Sequence, residues 1–195
     1  ELGSTSTHLK CAIGGFLGRA LKAGDQIEFA KEITSLPKME KRKVENLTSF
    51  LPVSRFSKEK SQVYILRAVK GPQDDMFTEA QKKQFTQNTY QLSVDSNRMA
   101  CKLEGKSLDN LSGMDIISDG IALGSIQISS NGLPIVMLCD RQTTGVYAKI
   151  GTVITPDISI IAQCKPGEKV CFHWISVNES RRVYQKELKK REKLE

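Results

Sequence analysis

Two short apolar runs, separated by a turn that few residue pairs can make, limit most strongly how this chain folds. Gly124-Ser125-Ile126-Gln127-Ile128 and Ile135-Val136-Met137-Leu138-Cys139 flank Ser130-Asn131-Gly132-Leu133-Pro134. Asn-Gly accepts the positive φ values of a tight hairpin, so the two runs read as antiparallel neighbours. Cys139, closing the second run, reads as a core thiol. Gln62 to Val69 is rich in β-branched and aromatic residues and is stopped by Gly71-Pro72. Tyr90 to Val94 and Arg98 to Leu103 are short strands around Asp95-Ser96-Asn97, and Ala148 to Thr155 and Lys169 to Val177 are two more. The helices are brief: Thr78 caps one that runs to Phe85, and Asp157 is expected to cap Ile158 to Gln163. Short strands, frequent turns and brief helices predict a mainly β domain, a barrel or a sandwich with short helices.

The two ends of the chain read differently. Residues 1–30 are glycine-rich, with turns at Gly14-Gly15 and Ala23-Gly24-Asp25, and Gln26-Ile27-Glu28-Phe29 alternates like the end of a strand. Residues 31–60 lose periodicity and gain charge, Ser and Pro, as a connecting segment does. Glu179 to Glu195 reads as a charged helix or a frayed tail. The opening Glu1-Leu2-Gly3-Ser4-Thr5 holds neither an initiator Met nor a signal peptide, which predicts a segment of a longer chain.

Charge and cysteine usage exclude several function classes. The net charge of +7 is concentrated in Lys38 to Lys60 and Arg181 to Lys193, where Glu is interspersed. That pattern predicts a solvated surface and no nucleic-acid partner. No apolar stretch approaches the roughly 20 residues that span a bilayer, so no membrane association is expected. The five cysteines are odd in number and none forms a C-x-x-C pair, which predicts reduced thiols and a cytoplasmic protein. With only His8 and His173 as histidines, no metal site is expected.

Three polar clusters are candidates for chemistry. Gly71-Pro72-Gln73-Asp74-Asp75 is either a turn plus helix cap or a Gln and an Asp at a barrel rim. Ser118-Asp119-Gly120-Ile121 contains a turn dipeptide, yet it leads into a strand with small residues at its start, where a ligand could approach the backbone closely. Asp140-Arg141-Gln142-Thr143-Thr144-Gly145 follows a buried-looking strand with a density of polar groups that a solvated loop does not require. Gln142, Thr143 and Thr144 can hydrogen-bond an amide or carboxylate, and Arg141 and Lys149 can neutralise a carboxylate or phosphate. No nucleophile elbow, phosphate loop or dinucleotide fingerprint accompanies them.

These clusters, with Leu2-Gly3-Ser4-Thr5-Ser6-Thr7, Gly14-Gly15-Phe16-Leu17-Gly18-Arg19, Ser96 to Met99, Leu103-Glu104-Gly105, Gly124-Ser125-Ile126-Gln127 and Asn131-Gly132, stand in an order and spacing that resembles the allophanate hydrolase subunit 2 family. That carboxyltransferase-like group, taken here as the subdomain C and D type, includes the C subunit of 5-oxoprolinase and the KipI antagonist KipA. The resemblance implies a cyclophilin-like β-barrel at residues 58–178, preceded in 1–57 by the end of another such domain and a linker, and followed by a charged helical tail at 179–195. It implies a subunit 1 (KipI-type) partner and, in the 5-oxoprolinase complex, a third, lactam-utilisation protein (the A subunit of that complex), with ATP bound by the full complex driving 5-oxoproline to glutamate. A KipA-like regulator and a biotin-dependent urea or amide carboxyltransferase half are the alternatives, any biotin being carried on another domain. The isolated segment is expected to be inactive. On this reading Asp119, Gln142, Thr143 and Thr144 are catalytic, and Gln73, Arg98, Gln127, Arg141, Tyr147 and Lys149 bind substrate. The sequence departs from the family pattern at Val146 and Ala148, where Gly and Pro are expected, and at Ala100, where Gly is expected.

Overall fold

A computed structural model describes residues 5–9, 11–28, 63–109 and 115–192. The expected connecting segment at 31–60, its basic run, and Phe29 lie outside the described residues. The chain divides into two compact units, Glu1–Lys43 and Val44–Glu195.

In the first unit, β1 (Thr7–His8) and β2 (Ile13–Gly14) form an antiparallel hairpin. Past the hairpin the chain turns again, and Gly18 closes that turn at φ 65° with its N–H on Gly14 O at 3.0 Å; an added Cβ would lie 2.1 Å from the Ala12 carbonyl oxygen. Arg19 closes the following turn with two 2.8 Å bonds to the Asp25 carboxylate, which also accepts the Lys22 N–H at 2.6 Å. These bonds hold the Asp25 carboxyl down at about 2, chiefly through Arg19. Gln26-Ile27-Glu28 takes no strand conformation; its alternation finds no sheet partner among the described residues, and Ile27 is exposed.

The second unit is built on a closed seven-stranded barrel. Its strands are β3 (Val63–Lys70), β4 (Tyr90–Leu92), β5 (Ala100–Glu104), β7 (Ser125–Ile128), β8 (Pro134–Met137), β10 (Lys149–Val153) and β11 (Lys169–Trp174), ordered β10-β3-β11-β4-β5-β8-β7. Outside it, β6 (Asp115–Gly120) pairs with β9 (Thr144–Tyr147) as a two-stranded antiparallel ribbon. The Asn131-Gly132 turn makes the β7–β8 hairpin as the sequence predicts, with Ile126 opposite Val136 and Gly132 at φ 80°. The parallel neighbours β3 and β11 meet with Leu66 opposite Phe172.

Period-2 alternation fills the interior: Tyr64, Leu66 and Ala68 of β3 point in, and Ile126, Val136, Ile150 and Val170 meet them. Against β11 packs α1 (Glu79–Gln87), whose start carries a full capping box between Thr78 and Gln81. Its Phe85 stacks on Phe172 at 4.5 Å between ring centroids and tilts against Trp174 at 5.3 Å. Burying such a ring fully contributes about 1.5–3 kcal/mol relative to leaving it exposed.

Two expectations are corrected here. Cys139 is exposed, because β8 ends at Met137 and the chain turns outward after Leu138. Asp157 does not cap its helix: α2 (Thr155–Ile161) begins earlier, with Pro156 in its first turn and Ile154 at the cap position. Asp157 is instead buried in that turn, accepting the Arg67 backbone N–H at 2.8 Å, Nε at 2.9 Å and Nη2 at 2.6 Å. The C-terminal segment is helical as α3 (Val177–Glu192).

Candidate functional site

A ribbon carboxylate reaches the barrel at Lys149. Asp119, near the end of β6, pairs with Gly145 across the ribbon, which sets its side chain beside the first residue of β10. Asp119 Oδ2 accepts a bond from Lys149 Nζ at 2.7 Å and another from Gln73 Nε2 at 3.1 Å, while Oδ1 accepts the Gly120 N–H at 2.7 Å. The Gln73 carboxamide also accepts the Lys149 N–H at 3.2 Å, so it bridges both partners. Gln73 is placed by the turn that follows β3: Gly71 N–H donates to Ile150 O at 3.0 Å, and a Cβ on Gly71 would lie 2.2 Å from the Lys149 carbonyl oxygen. Only glycine lets the 71–73 segment approach β10 that closely.

The pair is asymmetric. The Lys149 side chain is 2% exposed and the Asp119 side chain 49% exposed. The ammonium is thus drawn up from the barrel to a carboxylate that faces water. A buried ammonium without a partner is strongly unfavourable, so Asp119 is the group that lets Lys149 sit there. In turn the Lys149 bond, then those from Gln73 and the Gly120 N–H, hold the Asp119 carboxyl at about 2, below its ordinary 3.8. The result is an ionised, half-exposed acceptor with its charge neutralised from below.

The remaining residues nominated from sequence divide into three sets. Thr144 pairs with Gly120, and the Thr143 carbonyl accepts the Ile121 N–H at 2.9 Å, so the exposed Gln142, Thr143 and Thr144 border the same ribbon. Gln127 is buried beneath it, donating to the Tyr147 carbonyl at 3.3 Å, with its backbone opposite Lys149. Arg141 is spent on the chain itself, donating from Nε to Ile121 O at 2.9 Å and from Nη1 to Leu138 O at 3.3 Å. Arg98 stands apart, paired with Asp140 at 2.9 Å on the surface. Asp74 belongs to a third arrangement, a 3-10 turn at Asp74–Met76, where it pairs with Lys82 at 3.1 Å.

The ribbon itself escaped the reading from sequence, which placed loops at both 118–120 and 144–147. Its side chains are largely exposed and its register shifts between Asp115 and Asp119, so it carries no core-facing period. The apolar Ile116-Ile117 and the alternation of Thr144-Gly145-Val146-Tyr147 were the available signals. Among the described residues, no group of three or more His, Cys, Asp and Glu is gathered as a metal site requires, and no helix is long and apolar enough to cross a membrane. Cys11, Cys101, Cys139, Cys164 and Cys171 form no disulfide.

Comparison with known proteins identifies the family. The chain is 33% identical over 184 residues to the C subunit of 5-oxoprolinase from Escherichia coli, covering 94% of this chain and 54% of that protein. It is 31% identical over 195 residues to the C subunit of 5-oxoprolinase from Haemophilus influenzae, covering 95% of this chain and 55% of that protein. The chain therefore spans about half the length of these curated relatives. The crystal structure of the K. lactis urea amidolyase superposes on the whole chain with a TM-score of 0.72 at 23% identity, using 12% of that larger protein, which establishes a shared fold. Residues 1–174 match the family described as the carboxyltransferase domain, subdomain A and B, so the subdomain designation is A and B rather than the C and D type taken from the resemblance. On this match the chain belongs to the carboxyltransferase domain, subdomain A and B family.

Proposed function

We propose that this chain is the amide-handling part of a 5-oxoprolinase, working with a subunit 1 (KipI-type) partner and a lactam-utilisation protein in ATP-dependent conversion of 5-oxoproline to glutamate. The similarity to two proteins named as the C subunit of 5-oxoprolinase, over nearly the whole chain, supports this assembly. The observation that carries the reading into chemistry is the Gln73–Asp119–Lys149 cluster. A lactam presents one N–H and one C=O. Asp119, ionised and half exposed, accepts the N–H, while the Thr143 and Thr144 hydroxyls and the Gln142 amide at the ribbon edge supply donors for the carbonyl. Lys149 offsets the Asp119 carboxylate, so the lactam group of 5-oxoproline, itself neutral though the molecule carries a separate carboxylate, meets a cluster without net charge.

ATP does not fit this cluster. Lys149 is committed to Asp119 and Arg141 to two carbonyls, so neither cation is available to a triphosphate. The nucleotide is accordingly assigned to another part of the assembly, as is any biotin in a urea-directed relative. The test is glutamate release from 5-oxoproline and ATP by the full-length protein combined with both of its partners. Turnover is expected, and Asp119→Asn lowers kcat/KM by about 10-fold or more, the loss of a charge-assisted hydrogen bond to the lactam N–H. Tight pairing with the subunit 1 partner but no turnover from the full set would overturn the catalytic reading in favour of a KipA-like regulator.

A further inference from the structure

A second cavity has no part in that chemistry. It lies where the 95–98 loop, the residues just after β8 and the α2 helix come together, at the end of the barrel that β10 leaves through Val153. Lys149 begins β10, and none of Gln73, Asp119 and Lys149 lines the cavity. The cavity encloses about 400 Å³, inside the roughly 300–1,000 Å³ range of small-molecule sites. Its walls are apolar: Leu92, Cys101, Leu138, Ile158, Ile161 and Ala162. Cys164 also lines it, and the Cys101 and Cys164 Sγ atoms lie 3.9 Å from Ile161 O and 3.3 Å from Ile160 O. Burial pushes the Cys101 thiol up to about 11, which leaves it unreactive at neutral pH. Cys139, by contrast, is exposed where it meets the cavity.

The polar groups stand together on one side. Arg98 is the one charged residue lining the cavity, and its side chain is 84% exposed. Its partner Asp140 is itself half exposed, and a solvated pair of that kind is weak and readily exchanged. Neighbouring Asn97 uses its side-chain oxygen on the Met99 and Ala100 N–H groups, at 2.8 and 3.3 Å, which leaves its amide N–H groups for an acceptor. An apolar interior penalises a polar ligand body, whereas a guanidinium beside amide N–H donors favours a carboxylate head. We propose that this cavity binds a small monocarboxylate with an unbranched apolar body, its chain among Leu92, Leu138 and Ile161 and its carboxylate on Arg98 and Asn97 in exchange for Asp140. This site is independent of the reaction proposed above, and of the Asp119 cluster that serves it.

Calorimetric titration of the full-length protein with butanoate, hexanoate, octanoate and 1-octanol tests the assignment, with iodoacetamide labelling of Cys139 as a second readout. Affinity is expected to rise about fourfold per added methylene until the cavity is full. Arg98→Ala weakens the carboxylates about tenfold and leaves octanol unchanged, while octanoate slows alkylation of Cys139 in the parent protein. Ala162→Trp, which closes the cavity, removes both effects. Absence of saturable heat together with unprotected Cys139 overturns the proposal. Equal affinity for octanol and octanoate overturns the carboxylate assignment, and octanoate binding that survives Ala162→Trp with Cys139 still unprotected in the parent overturns the location.

Discussion

The barrel and the ribbon that leans on it are made by opposite means. In the barrel, β3 alternates inward and outward positions, β7 is buried at every position, and Leu66, Ile126 and Val136, with Phe85 of α1, are fully enclosed. In the ribbon, five of the six β6 residues are exposed, Ile117 is 94% exposed, and the pairing slips between Asp115 and Asp119. Yet the candidate chemistry belongs to both: the barrel contributes Lys149 and the ribbon contributes Asp119. A rigid, buried strand fixes the cation, and a lightly packed element presents the carboxylate to solvent. Precision comes from the first and access from the second.

That contrast can be broken most forcefully in the barrel. Phe85→Ala removes the ring stacked between α1 and β11 and is expected to cost about 3–5 kcal/mol in chemical denaturation. Asp157→Ala, which strips three bonds from Arg67 and its backbone, is expected to cost about 2–4 kcal/mol, since it removes a buried acceptor of charge-assisted bonds. The Asp119→Asn turnover assay belongs next, with chemical denaturation read beside it, because the substitution also removes the counter-charge of the buried Lys149 ammonium. On the ribbon, Ile117→Ser is expected to change stability by no more than about 0.5 kcal/mol, as its side chain is almost wholly in water. A loss as large as that of Phe85→Ala would show that the ribbon is part of the core after all.

Legibility in the sequence followed the same division. The Asn131-Gly132 hairpin, the Thr78 cap and the strand beginning the barrel were readable because each rests on local backbone preference or on a period of two. Asp119 and Gln73 were readable as candidates by residue type and by the glycines beside them, and they prove to be hydrogen-bonded to each other. What could not be read was who would partner whom. Lys149 and Arg141 were nominated for an incoming anion, whereas their partners in the fold are Asp119 and two backbone carbonyls, 20 to 30 residues away in sequence or at a loop three residues back. Cys139 shows the related failure: an apolar run does not announce the residue at which its strand turns outward.

The pH dependence of Asp119 probes the cluster without needing any partner protein. Its folded pKa lies below the unfolded one, so the stabilisation it contributes is complete above about 3.8 and is lost as pH falls toward 2. Site-resolved carbon NMR titration of the Asp119 carboxyl is therefore the most direct measurement. A midpoint near 2 that climbs toward 3.8 in Lys149→Met is the result expected if the barrel lysine and the ribbon aspartate form one site. A midpoint already near 3.8 in the parent protein, unmoved by Lys149→Met, would contradict it.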